Sequence, residues 1–278
     1  MLSYSVRGLR SPYSDYNDYL NTLLEDEALE NNYKFFWIFH GLDYKNWIET
    51  GQKMPVLVLC GSPTLENATA HIVRTLKDNL VFHFFYGSVR YLHPLPGLVG
   101  SSVEWKQLLC VWTILLQLID GYPLPQQQYL LESFCSYALR FISPSNIEKI
   151  TSVEPEEAFR SLLRYSELET LWDALSHTLS RLEWSRGHAE SERQDAPRIE
   201  RHLIFVFDLD DQPFNTCTVW FNIMRSIMRN LRRHFTTVKI LVTYPTTDDL
   251  MLHHSEVCLK YDTERQGMYC PHIVLNTS

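Results

Sequence analysis

The chain is sparing with glycine, 10 in 278 residues, and with cysteine, six in all and none in a CxxC pair. Cysteines scattered at 60, 110, 135, 217, 258 and 270 exclude a disulfide framework. Several sit in apolar runs, which predicts buried thiols in a reducing compartment. His253, His254, Cys258, Cys270 and His272 lack the tight spacing of a structural zinc site. GxSxG, HExxH and GxGxxG do not occur, so no nucleophile elbow, zincin helix or dinucleotide fingerprint is present. Long hydrophobic runs are missing too. The most apolar window, 108–119, is too short and too interrupted to cross a bilayer, and the first twenty residues lack the apolar stretch of a secretory signal. Nor is there an excess of positive charge: 25 Lys and Arg against 33 Asp and Glu give a net charge of −8, which disfavours nonspecific nucleic-acid binding by the body. These absences predict a cytoplasmic protein with neither membrane nor nucleic acid as partner.

What is present is a body of ordinary globular composition, 45% hydrophobic and 21% charged. It is organised around residues 54–70, MPVLVLCGSPTLENATA. The apolar run 56–60 predicts a buried strand that ends at a turn and feeds a helix. Such a junction can cradle phosphate, because free backbone N–H groups and the helix dipole point at the ligand. The working form is GxxxxGK[ST], in which a lysine reaches the β/γ-phosphates and a hydroxyl ligates magnesium. Gly61 stands at the first position. Glu66 then falls on the second glycine, Asn67 on the lysine and Ala68 on the hydroxyl. The frame is that of a phosphate loop with its chemistry removed.

The rest of the chain supplies the neighbours such a loop needs. Residues 1–34 predict a flexible arm with a short helix near 16–28, and an aromatic entry segment runs from 33 to 47. Strands are expected at 81–86, 202–207 and 238–243, with a last edge strand at 257–261 or 272–275. Helical spacing of apolar residues marks 66–79, 101–119, 125–142, 156–164, 167–184 and 215–235. The second of these has the composition of a buried helix, and Pro144 closes the third. Residues 185–201 carry almost no apolar side chains and predict a mobile loop. The basic residues Arg225, Arg229, Arg232, Arg233 and His234 read as a solvated face near a helix end. Continuous apolar strands alternating with helices predict an α/β fold with a parallel sheet covered on both faces.

In this order the landmarks resemble the NACHT-type P-loop NTPases of the STAND class, most closely the fungal nephrocystin-like N-terminal domains. The family loop GxPGxGKST is matched by Gly61, Ser62, Pro63, Thr64, Leu65, Glu66, Asn67, Ala68 and Thr69. A family strand ending D-A-L-D-E is matched by Asp208, Leu209, Asp210 and Asp211, one residue short, and VKILVTSRP by 238–245, VKILVTYP. The resemblance covers residues 35–262. It implies a three-layer P-loop NTPase-like fold, with a mostly parallel sheet and a helical insertion at about 120–184, forming one domain over 35–278. The departures fall on the functional positions. Thr64 and Glu66 replace glycines, Asn67 the lysine and Ala68 the hydroxyl, although Thr69 follows directly. Whether Asp208 or Asp210 takes the metal-facing place is open, and Tyr244, after Thr243, replaces the third-motif arginine. A carboxylate in place of a cation opposes polyphosphate by roughly 1–4 kcal/mol per charge pair at effective dielectrics between water and protein surface. Phosphoryl transfer depends on positioning and electrostatics, so little catalysis survives both losses. The expectation is an inactive pseudo-NTPase module, with no cofactor, that works through protein partners such as STAND relatives. The alternative is a nucleotide-binding switch that keeps ATP and magnesium and weak hydrolysis.

Overall fold

The computed structural model describes residues 17–24, 42–49, 56–60, 65–76, 80–85, 102–153, 155–190, 203–208, 227, 230–231, 237–244 and 272–274. The chain divides into two compact units. One comprises Asn17–Arg90, Glu200–Trp220 and Thr236–Ser278; the other comprises Met1–Tyr16, Tyr91–Ile199 and Phe221–Phe235.

The first unit is built on a parallel sheet. Its strands are β1 (Val56–Cys60), β2 (Leu80–Phe85), β3 (Leu203–Asp208), β4 (Val238–Tyr244) and β5 (His272–Val274). They lie in the order β2-β3-β4-β1-β5, and every pairing is parallel. Each strand falls within a residue or two of the apolar run that predicted it, and of the two candidates for the last strand the second is the one paired to β1. The segment 257–261 lies outside the described residues. All six residues of β3 are buried, so the strand is covered on both faces, as an unbroken apolar run in a parallel sheet requires. Phe82, Phe205 and Phe207 fill this core, with Phe205 stacked on Phe207 at 6.1 Å and Phe82 at 5.7 Å from Phe205.

The strand order creates a crevice. From β1 the chain crosses over β4 and β3 to the edge at β2, returns through β3 and β4, then crosses β1 to reach β5. Connections therefore leave the neighbouring strands β1 and β4 in opposite directions. In open α/β sheets that reversal marks the point, outside the carboxyl ends of the strands, where ligands bind.

Three helices belong to the same unit: α1 (residues 17–24), α2 (Leu42–Glu49) and α3 (Leu65–Thr75). On α3, Ala68, Thr69, Ala70, Ile72 and Val73 are buried against the sheet, while Arg74 is exposed. The small residues at 68 and 70 let the first turns approach the strands closely. Helix α2 buries Trp47 completely, with the Tyr44 ring 5.9 Å away. The carbonyls of its last turn have no partner within the helix. Lys239, wholly buried at the second position of β4, supplies one: its ammonium donates to the carbonyl oxygens of Trp47 and, at 2.9 Å, of Ile48, and lies 5.7 Å from the centre of the Trp47 ring. A cation inside an apolar strand is tolerated because it caps a helix. Burial nevertheless pushes its pKa down to about 8.

The second unit is helical, with α4 (Ser102–Asp120), α5 (Leu124–Leu139), α6 (Pro144–Thr151), α7 (Pro155–Tyr165) and α8 (Leu168–Glu190). Trp112 of α4 meets Phe159 of α7 edge to face at 5.1 Å, Phe134 of α5 lies 6.3 Å from Phe159, and Trp172 of α8 is 1% exposed. Cys110 and Cys135 are buried, and neither is in a disulfide. Asn230 reaches from the segment 227–231 to donate to Asp173 at 2.7 Å. Three boundaries differ from expectation. The helical unit starts before residue 120, because α4 belongs to it. Helix α5 ends before Pro144 as expected, but Pro144 then opens a further helix, α6, that was not anticipated, since proline fits the first turn, where no N–H bond is needed. Helix α8 also continues to Glu190, six residues into the expected mobile loop, because Ser185, Arg186, His188, Ala189 and Glu190 are compatible with helix despite their polarity. The remainder of that loop, 191–201, lies outside the described residues. Among the described residues no helix is long and apolar enough to cross a membrane.

Candidate functional site

The site is assembled at the carboxyl ends of β1, β3 and β4, on the crevice defined above. The register places Asp208, the last residue of β3, beside Thr243 of β4, and Thr243 in turn beside Leu59 of β1. Cys60 and Tyr244, the last residues of β1 and β4, pair next to them. Three of the residues singled out in the sequence thus meet. Thr69, on the first turns of α3, donates its hydroxyl proton to Thr243 at 3.0 Å, and the Thr243 hydroxyl donates to the Asp208 carboxylate. Thr69 and Thr243 are completely buried and Asp208 is 7% exposed.

This relay is directional. Each hydroxyl has one proton to give, and both are given inward, towards the only charged group of the three. Asp208 is the described carboxylate of the acidic motif, and the Thr243 bridge joins it to the helix after β1. Asp210 and Asp211 lie outside the described residues. It also separates the neighbours Ala68 and Thr69: Ala68 is packed into the core with no polar group, and Thr69 carries the hydroxyl to the acid. The sequence pointed to Thr69 and Asp208 individually. Thr243 was legible only as the end of a strand, and its role as the bridge follows from register.

The amino end of α3 carries an acid. Glu66 lies in the first turn, where a negative charge is favoured by the helix dipole. Its carboxylate accepts a hydrogen bond from the hydroxyl of Tyr19 on α1, 47 residues earlier in the chain. Asn67 follows it, half-buried, at the position of the family lysine. Gly61, Ser62, Pro63 and Thr64 lie outside the described residues, and for Leu65 and Tyr244 the backbone alone is described.

Three cations could be asked to replace the missing lysine: Arg74, Lys239 and Lys53. Arg74 is exposed in the last turn of α3. Eight residues of helix separate it from Glu66, about 12 Å along the axis, and it sits at the wrong end. Lys239 is committed to the carbonyls of α2. Lys53 lies outside the described residues. Among the described residues no group of three or more His, Cys, Asp or Glu side chains is arranged to hold a metal ion. The arrangement holds a buried carboxylate that accepts a hydrogen bond from one hydroxyl, itself backed by a second. It offers no described cation to a phosphate. The chain matches no protein-family model, and no curated protein is significantly similar to it.

Proposed function

We propose that the chain is a catalytically inactive, NACHT-like pseudo-NTPase module on a three-layer P-loop NTPase-like frame, acting through protein–protein contacts, including regulation of STAND-type relatives. The observation that carries this reading is the closed relay from Thr69 through Thr243 to Asp208. In a working site the hydroxyl and the carboxylate would face a magnesium ion and its phosphates. Here the Thr69 proton is given to Thr243 and the Thr243 proton to the acid, and both hydroxyls are completely buried. Glu66 adds a negative charge at the mouth of the same helix, where polyphosphate would need a cation. The parallel sheet and its topological switch point agree with the frame, and exposed Leu124, Tyr129 and Phe141 on the helical unit suit contact with protein.

The nucleotide-switch alternative draws on the same geometry, since Thr69 and Asp208 remain joined. Thermal unfolding of the purified chain in millimolar Mg-ATP or Mg-ADP separates the two. A ligand that binds the folded state raises stability by RT ln(1 + [L]/Kd). The inactive module keeps its melting temperature unchanged, and a clear rise would overturn this reading in favour of the switch.

A further inference from the structure

We infer that residues 17–24 form a strap, held by Tyr19 on Glu66, that fixes the amino end of α3 and can be released as a unit. The inference deepens the pseudo-NTPase reading in calling the strapped site emptied; the strap itself rests on contacts.

Residues 17–24 are helical. Helix formation is cooperative with a costly nucleus, and most helical stability in proteins comes from tertiary packing, so contacts outside the helix sustain it. Its inward contacts include Leu23, 9% exposed, and the Tyr19 hydroxyl, which donates to the Glu66 carboxylate. Asp18, Asn21 and Thr22 are exposed, and Thr22 donates back to the Asp18 carbonyl at 2.9 Å, within the helix. Because neighbouring turns support one another, loss of either anchor loosens the segment as a whole.

The far end of the contact gives the strap its consequence. Glu66 stands one turn before Thr69, and Thr69 opens the relay to Thr243 and Asp208. The strap thus holds, from outside the sheet, the same turn of α3 that the relay holds from inside. In a nucleotide-binding domain the ligand would tie this helix end to its surroundings. Here the chain's own arm performs that tie, and its release frees the Glu66 carboxylate at the edge of the crevice.

The test is amide hydrogen exchange on the full chain, followed by mass spectrometry, for the wild type, Tyr19→Phe and Glu66→Gln. Tyr19→Phe removes one oxygen and keeps the ring. Tyr19→Phe should accelerate exchange across 17–24 about tenfold, the equivalent of about 1.4 kcal/mol, and Glu66→Gln, whose amide oxygen still accepts but without the charge, by less, while β1 and β4 keep their protection. Unchanged exchange of 17–24 in both variants would overturn the strap, and so would an equal rise throughout the sheet. The outcome is independent of nucleotide. A wild type stabilised by Mg-ATP but with a releasable strap would refute the inactive reading alone, and an unresponsive segment 17–24 in a chain that ignores Mg-ATP would refute the strap alone.

Discussion

Replacing Lys239 by methionine removes a buried charge while keeping most of the volume, and its effect should depend on pH in a way that no surface lysine could reproduce. In the folded chain the Lys239 ammonium titrates at about 8, against 10.5 for an unperturbed lysine, because burial disfavours its charged form. Between those values the unfolded chain binds a proton that the folded chain has released, so stability rises with pH across the window. At about 1.4 kcal/mol per unit the gap amounts to about 3 kcal/mol, acquired progressively from pH 8 to 10.5. Other buried groups work against this rise. The Cys110 thiol and the Tyr44 phenol are both pushed up by burial, so each favours its neutral form in the fold and withdraws stability at alkaline pH. Lys239→Met retains both groups, and the difference between wild type and variant isolates the lysine. Urea unfolding at pH 7, 8, 9 and 10 should give a wild type that gains on the variant at every step, by about 2–3 kcal/mol in total. A difference that stays constant over this range would mean that the ammonium is solvated in the fold, and that its bonds to the Trp47 and Ile48 carbonyls do not confine it.

Two further perturbations address the relay and the opposite end of the pH scale. Thr243→Val leaves Asp208 and Thr69 without the hydroxyl that joins them and should cost about 2–4 kcal/mol, whereas Thr69→Val removes one neutral bond and should cost about 1 kcal/mol. Equal losses in urea midpoints would show that Thr243 is no bridge. His83, on the edge strand β2, is held by burial at a pKa of about 4. Its neutral form is the one that fits the fold, so stability should fall as pH drops from about 6.5 towards 4, by at most about 3 kcal/mol and less in proportion to its partial exposure. His83→Phe should flatten that part of the acid limb, and NMR titration of the ring should find the low midpoint directly.

The sheet was legible because its strands are nearly unbroken apolar runs, and a run buried on both faces admits few other structures. Val56–Cys60, Leu203–Asp208 and Val238–Tyr244 could be read one at a time, without knowing what they pair with. Helix ends were less legible: Pro144 follows the end of one helix and opens another, and residues 185–190 are polar yet compatible with helix. The Lys239 cap left a usable signal, since a lone lysine inside an apolar central strand must find acceptors. Its acceptors, however, lie 191 and 192 residues away and carry no mark in the sequence. The site divides along the same line. The motif resemblance pointed to Asp208 and Thr69, but only the register of β3 against β4 puts Thr243 between them. That placement matters energetically. A buried carboxylate without a donor or cation costs several kcal/mol. Asp208 has two hydroxyls in series behind it, and Glu66 has the dipole of α3 and the Tyr19 hydroxyl. Both acids thus accept hydrogen bonds from within the chain, each from a different element.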